Sequence, residues 1–367
     1  MCVNISRAVS RKIRILGPLP PPYGGVSVFV AALRKFIKES GVKIWSYPYK
    51  DRHDAGVEYF KHRRLEILRL LLTDGYGALV LDCSHFHLEY PNPILAPIWL
   101  TLKPLLNLRW IKIVQDGSLP MRYRGFNSLQ RILFWLGIRS VSEFVVVQSE
   151  LERWLREEIK VRQKITLIPC LLPPDPDSLN RPLSADLKGR LSSYLNKPKR
   201  VCCIGAFIPE YGFKHAAQAV ETLRAETGVD IGLVLLDGTF ARETKYRDEV
   251  LRGRDWITTI ENVRNPDVFP ILKHSDTFVR AFGQESYGIS RVEAIWSGLP
   301  VVATNVGETR GMLTYEFGDI QLLTAQLRRA LFDNSPENLQ ETAAVFHQEA
   351  ERNLAAMECL LGLTNER

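Results

Sequence analysis

Short apolar runs alternate with stretches of helical spacing along most of this 367-residue chain. The runs are rich in Val, Ile and Leu and end at Gly, Pro, Asp or Gln, which is typical of strands. Predicted strands cover residues 12–17, 42–47, 78–81, 110–114, 144–148, 165–169, 201–205, 231–236, 258–260, 277–279 and 299–303. Predicted helices cover residues 26–37, 58–72, 213–224, 241–251, 266–273, 289–296, 319–332 and 336–359. This alternation predicts an α/β fold.

The chain is long for a single domain, so two domains of ordinary size are expected. Three prolines, Pro173, Pro174 and Pro176, open a stretch of changed composition, and the charge balance reverses there. Residues 1–170 hold 26 Lys and Arg against 14 Asp and Glu, whereas residues 171–367 hold 22 against 27. We therefore predict a first domain over 1–170, a linker over 171–198 and a second domain from 199.

The most informative stretch runs from Asp276 to Gly311. It predicts a strand, a loop with Glu285 and Gly288, a helix and a second strand, which together form a βαβ unit. Ligands bind at the carboxyl ends of such strands, and the helix N-terminus offers N–H groups to an anion. Glu285 and Glu293 could hold neutral hydroxyls, so the stretch favours a ligand with both phosphate and sugar.

The segment ESYGISRVEAIWSGLPVVAT resembles the E-x7-E signature of the group 1 (family four) retaining glycosyltransferases. That resemblance implies the GT-B fold, with two Rossmann-like parallel-sheet domains facing each other across a cleft. It also implies that a helix within residues 336–367 crosses back to the N-terminal domain, after a C-terminal domain over 199–335. In the family the first Glu, here Glu285, faces the donor sugar, and the second, here Glu293, holds the ribose. The diphosphate would meet the loop of Ser286, Tyr287, Gly288 and Ile289.

Other segments resemble the family's remaining loops. Gly24 and Gly25 close a Pro-rich turn that resembles the loop approaching the donor diphosphate from the N-terminal domain. His87 follows a predicted strand and matches a family position near the acceptor, although a structural histidine explains it equally well. Asp116 stands where the family has His-Asp, with Gln115 in place of the His, and is a candidate for positioning the acceptor hydroxyl.

One family motif is altered. The pattern G-R-x-x-x-x-K-G, whose Arg and Lys grip the diphosphate, keeps Gly205 here but has Ala206 and Tyr211 at the two cationic positions. A diphosphate leaving group needs positive charge in the transition state. Arg280, which directly follows a predicted strand, is the best substitute. Lys214 and Arg310 are weaker candidates, since surface charge explains them as well.

Charge and composition limit the classes of binding partner that we expect. The basic N-terminal half suggests an anionic partner. Residues 121–139 mix four arginines with bulky apolar residues, which suits either a membrane interface or a buried helix. No recognised nucleic-acid motif accompanies them, and we expect no nucleic-acid partner.

Nothing resembles a membrane span or a signal peptide, and the six cysteines lack C-x-x-C spacing. We expect a cytoplasmic protein that can associate peripherally with the inner face of the cytoplasmic membrane.

We therefore predict a retaining glycosyltransferase that uses a UDP- or GDP-linked sugar, without a metal or another cofactor. The acceptor would be a glycan or polyprenyl-linked molecule in cell-surface polysaccharide assembly. A non-catalytic protein that binds nucleotide sugars is the alternative that Ala206 and Tyr211 motivate. A sugar-nucleotide epimerase is a third possibility. The sequence gives no indication of the oligomeric state.

Overall fold

A computed structural model describes residues 13–20, 24–36, 42–46, 56–59, 79–82, 109–333 and 338–363. The chain divides into two compact units. The first contains residues 1–21, 26–172 and 352–367, and the second contains residues 22–25 and 173–351.

The first unit is built on a seven-stranded parallel sheet of order β3-β2-β1-β4-β5-β6-β7. Its strands are β1 (Ile13–Leu16), β2 (Val42–Ser46), β3 (Val57–Tyr59), β4 (Leu79–Asp82), β5 (Trp110–Val114), β6 (Glu143–Val146) and β7 (Lys164–Leu167). Its described helices are α1 (Gly25–Phe36), α2 (Leu119–Arg124), α3 (Ser128–Ser140) and α4 (Ser149–Glu157). β6 is buried along its whole length, as expected of a parallel strand covered on both faces.

The second unit has a six-stranded parallel sheet of order β10-β9-β8-β11-β12-β13. Its strands are β8 (Lys199–Phe207), β9 (Ile231–Arg242), β10 (Ile257–Glu261), β11 (Thr277–Arg280), β12 (Val301–Thr304) and β13 (Leu313–Tyr315). Three short helices precede the sheet: α5 (Pro176–Leu179), α6 (Ala185–Arg190) and α7 (Ser192–Leu195). The others are α8 (Phe213–Thr227), α9 (Thr244–Leu251), α10 (Asn265–Lys273), α11 (Ile289–Trp296) and α12 (Ile320–Phe332). Helix α13 (Leu339–Leu361) belongs to the second unit as far as Glu351 and to the first unit from Arg352.

Both sheets reverse their strand order in the way that Rossmann-like sheets do. In the first unit the reversal lies between β1 and β4, and in the second it lies between β8 and β11. β11 and β12 are fully buried, and side chains of β8 and α8 form the core beside them. The predicted α/β fold with two Rossmann-like parallel sheets is confirmed. In the described part of the chain, no helix is both long and apolar enough to cross a bilayer.

Two predicted helices are partly wrong. Residues 58 and 59 belong to strand β3 rather than to a helix, and the rest of that predicted helix lies outside the described residues. Residues 241 and 242 extend β9, so the following helix begins at Thr244. The Asp237-Gly238 pair does not end this strand, because β8 continues to Phe207 and pairs with Arg242 beyond a register shift.

Candidate active site

Arg280 stands at the carboxyl end of β11, at the point where the second sheet reverses its order. β8 and β11 pair with Cys203 opposite Val279, which sets Arg280 beside Ile204 of β8. Its Nη1 donates a hydrogen bond of 2.6 Å to the carbonyl oxygen of Ile204. Ligands of open parallel sheets bind at such a reversal, so Arg280 occupies the expected place for a ligand-binding residue.

Glu285 forms an ion pair with Arg280. The Arg280 Nε donates to the Glu285 Oε2 over 2.6 Å, and the two side chains are only 10% and 9% exposed. Burial by itself would lower the pKa of Arg280, but the Glu285 carboxylate outweighs it and holds the pKa above its usual value. Arg280 therefore remains a cation in a largely dehydrated position.

Tyr211 lies where the resemblance described above leads one to expect a lysine. Its ring stacks on Phe282 with centroids 4.2 Å apart and an interplanar angle of 12°. The Arg280 Cζ lies 5.1 Å and 5.2 Å from these two ring centroids, within cation–π range. Gly205 makes room for this arrangement, because a Cβ there would lie 2.7 Å from the Tyr211 Cδ1. An aromatic pair thus packs beside Arg280.

Two glycines shape the space around Glu285. Gly288 and Gly307 have φ angles of 89° and 77°, in the left-handed region that favours glycine. A Cβ on Gly288 would lie 3.2 Å from the Glu285 Cγ, and one on Gly307 would lie 3.1 Å from the same atom. The carboxylate is therefore held between two close stretches of backbone.

Helix α11 begins directly after Gly288, which is its N-cap. The first backbone N–H groups of a helix have no partner within it and, together with the helix dipole, favour an anion. No side chain caps this end of α11. The loop from Ser286 to Ile289 therefore leads into a helix N-terminus close to Glu285, and its contact with a diphosphate stays a prediction.

Glu293 lies one turn into α11 and is buried. Its Oε1 accepts a hydrogen bond of 3.1 Å from the Asn265 Nδ2, at the start of α10. Burial raises the pKa of Glu293, although the Asn265 bond and the charge of Arg280 act in the opposite direction. A buried carboxylate with one amide partner retains acceptor capacity for sugar hydroxyls.

Sequence reasoning missed Arg291, which is fully buried. Its Nη1 donates to the carbonyl oxygens of Val306 and Glu308 at 2.6 Å and 2.9 Å, and its Nη2 donates to the Thr304 hydroxyl at 2.8 Å. Burial lowers the pKa of Arg291 to about 10. The residue fastens the turn after β12 to α11. The only sequence signal was a charged residue three positions after Gly288 in an otherwise apolar helix.

Tyr287 and the two other candidate residues, Lys214 and Arg310, form hydrogen bonds or ion pairs with carboxylates of the second unit. The Tyr287 hydroxyl donates to Glu349 over 2.8 Å, and burial followed by that carboxylate raises the pKa of Tyr287. Lys214 donates to the Glu249 carboxylate of α9 over 3.1 Å. Arg310 pairs with both Glu308 and Glu349. Donor binding by Lys214 stays a prediction, while Arg280 alone among these three cations pairs with Glu285.

The remaining candidates, Asp116 and His87 of the first unit and Gly24 and Gly25 of the second, are described only in part. Asp116 follows β5 and accepts hydrogen bonds from the Ser118 backbone N–H at 2.9 Å and the Ser118 hydroxyl at 2.7 Å, and it also pairs with Arg122. Gly24 and Gly25 stand at the start of α1, with no atom within 4 Å of a Cβ built on either. His87 lies outside the described residues. The roles of these four residues stay predictions.

Known structures with the same fold include several enzymes that act on sugars. Sucrose-phosphate synthase from Thermosynechococcus elongatus aligns with a TM-score of 0.71 and 16% identity, covering 96% of this chain and 99% of the other. HepE from Anabaena, in complex with UDP and glucose, aligns with a TM-score of 0.70 and 12% identity over 96% and 100% of the two chains. A UDP-forming α,α-trehalose-phosphate synthase from Burkholderia xenovorans aligns at 0.69 and 12% identity, over 94% and 97%. The chain has the GT-B fold of these glycosyltransferases.

The sequence also matches a family model. Residues 192–344 match the family model described as Glycosyl transferases group 1. That match includes the E-x7-E segment, so the resemblance drawn from this signature is confirmed. No curated protein matches the sequence at a significant level.

Proposed function

We propose that this protein is a retaining glycosyltransferase that moves a sugar from a nucleotide-diphospho-sugar to a glycan or lipid-linked acceptor. The observation that carries the proposal is the buried Arg280–Glu285 pair beside the uncapped N-terminus of α11, with Glu293 one turn further on. A cation, a set of backbone donors and two carboxylates together suit a ligand that has a diphosphate between two sugars.

Each group has a defined task in this proposal. Glu293 accepts hydrogen bonds from the ribose hydroxyls, and the amides of Ser286 to Ile289 donate to the diphosphate. Glu285 faces the donor sugar, and its contact with Arg280 fixes the orientation of its carboxylate. The neighbours that bind UDP or form it favour a UDP-linked donor, although a GDP-linked one is chemically equivalent at this level.

Departure of the diphosphate leaves negative charge on its oxygens, which the enzyme must stabilise. Arg280 supplies this charge where Ala206 and Tyr211 have removed the usual cations. Its guanidinium has five N–H donors, and the bonds to Glu285 and Ile204 occupy Nε and Nη1. The group can therefore hold its protein partners and one further anionic oxygen. The acceptor hydroxyl attacks on the face from which the diphosphate leaves, which preserves the anomeric configuration.

The acceptor belongs to the first unit in this proposal. Asp116 and His87 position the acceptor hydroxyl, and Gly24 and Gly25 let the loop before α1 approach the donor. The basic charge of residues 1–170 suits an anionic acceptor such as a polyprenyl phosphate sugar. Such an acceptor would place the reaction in cell-surface polysaccharide assembly, without a metal ion.

A protein that binds nucleotide sugars without transferring them is the second candidate. The altered motif favours it, because the Tyr211–Phe282 stack provides no positive charge of its own. Release of free sugar from the donor separates the two candidates. A transferase hydrolyses its donor slowly without an acceptor, whereas a binding protein leaves it intact.

Thermal stability in the presence of UDP-, GDP- and ADP-sugars tests the donor site. A bound ligand stabilises the native state by mass action, so one class of base is expected to raise the melting temperature. The Glu293→Ala variant should lose this shift, because it lacks the carboxylate that holds the ribose. A variant of an exposed carboxylate in the same unit, Glu226→Ala, should keep it. Absence of any shift with wild-type protein would contradict the proposal.

A further inference from the structure

Four large apolar side chains project into solvent from helices α2 and α3 of the first unit. Leu129, Ile132 and Trp135 on α3 are 65%, 57% and 47% exposed, and Met121 on α2 is 59% exposed. The three residues on α3 follow one another at intervals of three, so they form a continuous stripe. We refer to these four residues, with Arg124, Arg131 and Arg139, as the α2–α3 surface.

This stripe does not result from a poorly packed helix. The opposite side of α3 is well packed, since Phe134, Gly137 and Ile138 are buried. Phe134 contacts Tyr123 and Trp154 with ring centroids 4.9 Å and 6.0 Å apart. The N-terminus of α3 has a full capping box from Asn127. α3 is therefore a stable helix with one apolar face buried in its unit and a second apolar face outside.

All charged residues in the chain segment that contains the stripe are positive. Residues 117–142 contain four arginines and no Asp or Glu. Arg122 pairs with Asp116 and Arg124 pairs with Glu158, both from outside this segment. Within the described part of the chain, Arg131 and Arg139 form no ion pair with a carboxylate. The Arg139 Cζ instead lies 4.1 Å from the centroid of the Trp135 ring, where a cation–π contact holds the two together.

We propose that the α2–α3 surface binds the anionic face of a lipid membrane. Exposed Leu, Ile, Met and Trp can enter the boundary between headgroups and acyl chains, and the surrounding arginines attract anionic headgroups. A nucleic acid would use the arginines but not the aliphatic stripe. Protein interfaces are also enriched in Trp, Met and Arg, so a protein partner is the alternative that the vesicle experiment below distinguishes. The inference deepens the proposed function, since a polyprenyl-linked acceptor resides in a membrane, but it rests on residues outside the donor site.

Sedimentation of the full-length protein with lipid vesicles tests this proposal. Vesicles of phosphatidylcholine mixed with phosphatidylglycerol should bind the protein, and phosphatidylcholine alone should bind it much less. Each arginine removed, as in Arg131→Gln and Arg139→Gln, should weaken binding about fivefold. Ile132→Glu should weaken it by about tenfold or more, since it places a negative charge in the stripe. Binding should also fall steeply between about 0.1 M and about 1 M salt.

The matched control is Leu322→Glu, which alters an exposed leucine on α12 of the second unit and should leave vesicle binding unchanged. The melting-temperature shift with a nucleotide sugar should persist in Ile132→Glu, so failure of the donor site and failure of this surface are separable. Failure of the wild-type protein to bind anionic vesicles would overturn the proposal. Undiminished binding by Ile132→Glu would also overturn it, as would binding of a nucleic acid in preference to vesicles.

Discussion

Arg280 has two roles in the proposed site. It neutralises Glu285 in the ground state, and in the proposed reaction it also stabilises the departing diphosphate. Its contacts with Ile204, Tyr211 and Phe282 hold the guanidinium at the carboxyl edge of the sheet. A fixed cation of this kind requires little reorganisation when charge develops. In the proposed reaction, stabilisation of the departing diphosphate by a side-chain cation therefore depends on this single residue.

Replacing Arg280 by lysine should therefore impair turnover more than binding. Lysine keeps the charge but cannot reach Glu285, the Ile204 carbonyl and a phosphate oxygen with one planar group. Loss of one donor to developing negative charge typically lowers kcat by about 10²–10³-fold. We expect a decrease in kcat of that order with a much smaller change in KM, measured by release of the nucleoside diphosphate.

The control for Arg280→Lys is Arg328→Lys, which changes an exposed arginine paired with Glu226 in the same unit. This variant should retain wild-type kinetics. Thermal unfolding of both variants shows whether the fold survives the substitution. A wild-type kcat in Arg280→Lys would remove the planar guanidinium from the proposed mechanism.

At the scale of elements, the connection from β8 to α8 brings the site together. Gly212 ends the short 3₁₀ turn Pro209–Tyr211 and caps α8, with a φ of 62°. A Cβ there would lie 2.3 Å from the carbonyl oxygen of Ala281, directly after Arg280. The close approach of this turn to the end of β11 thus holds Tyr211 beside Arg280.

Gly212→Ala should consequently destabilise the protein and weaken donor binding. Gly228, at the other end of α8, has a φ of 67° and no atom within 4 Å of a built Cβ, so Gly228→Ala measures the left-handed backbone alone. That cost is about 1 kcal/mol. We expect Gly212→Ala to lose at least about 2 kcal/mol, as measured by denaturant unfolding, because the contact with Ala281 adds to the same backbone cost. Equal losses of unfolding free energy in the two variants would show that small shifts of the neighbouring backbone remove the close contact at no cost in stability.

The elements predicted most accurately from the sequence are those that residues within or directly beside them define. Helix α11 and strands β5 and β11 were predicted within one residue, since apolar runs and flanking glycines define them. Strand β13 was missed because three residues carry no periodicity, and β9 was cut short because a pairing with β8 overrides a turn signal. The stack of Tyr211 on Phe282 depends on residues far apart in sequence, so only the structure could show what replaced the cations.

At the scale of the whole molecule, charge and chemistry are divided between two units. The groups proposed to hold the donor, including the loop at Gly24 and Gly25, all belong to the second unit, whereas the excess of basic charge lies in residues 1–170. The α2–α3 surface belongs to the first unit. This division favours a molecule in which one unit takes up a water-soluble donor and the other meets an anionic acceptor, with membrane binding and donor binding as separable events.

Hydrogen exchange of the full-length protein should reveal this division directly. With a saturating nucleotide sugar, amides of residues 281–290 and 304–309 should exchange more slowly, because the ligand covers the N-terminus of α11 and the turn that Arg291 anchors. Residues 117–142 should remain unchanged with the donor but become protected on addition of anionic vesicles. The Glu293→Ala variant should lose only the first effect, and Ile132→Glu only the second. Donor protection confined to residues 109–172 would place the nucleotide in the first unit and contradict the assignment of tasks to the two units.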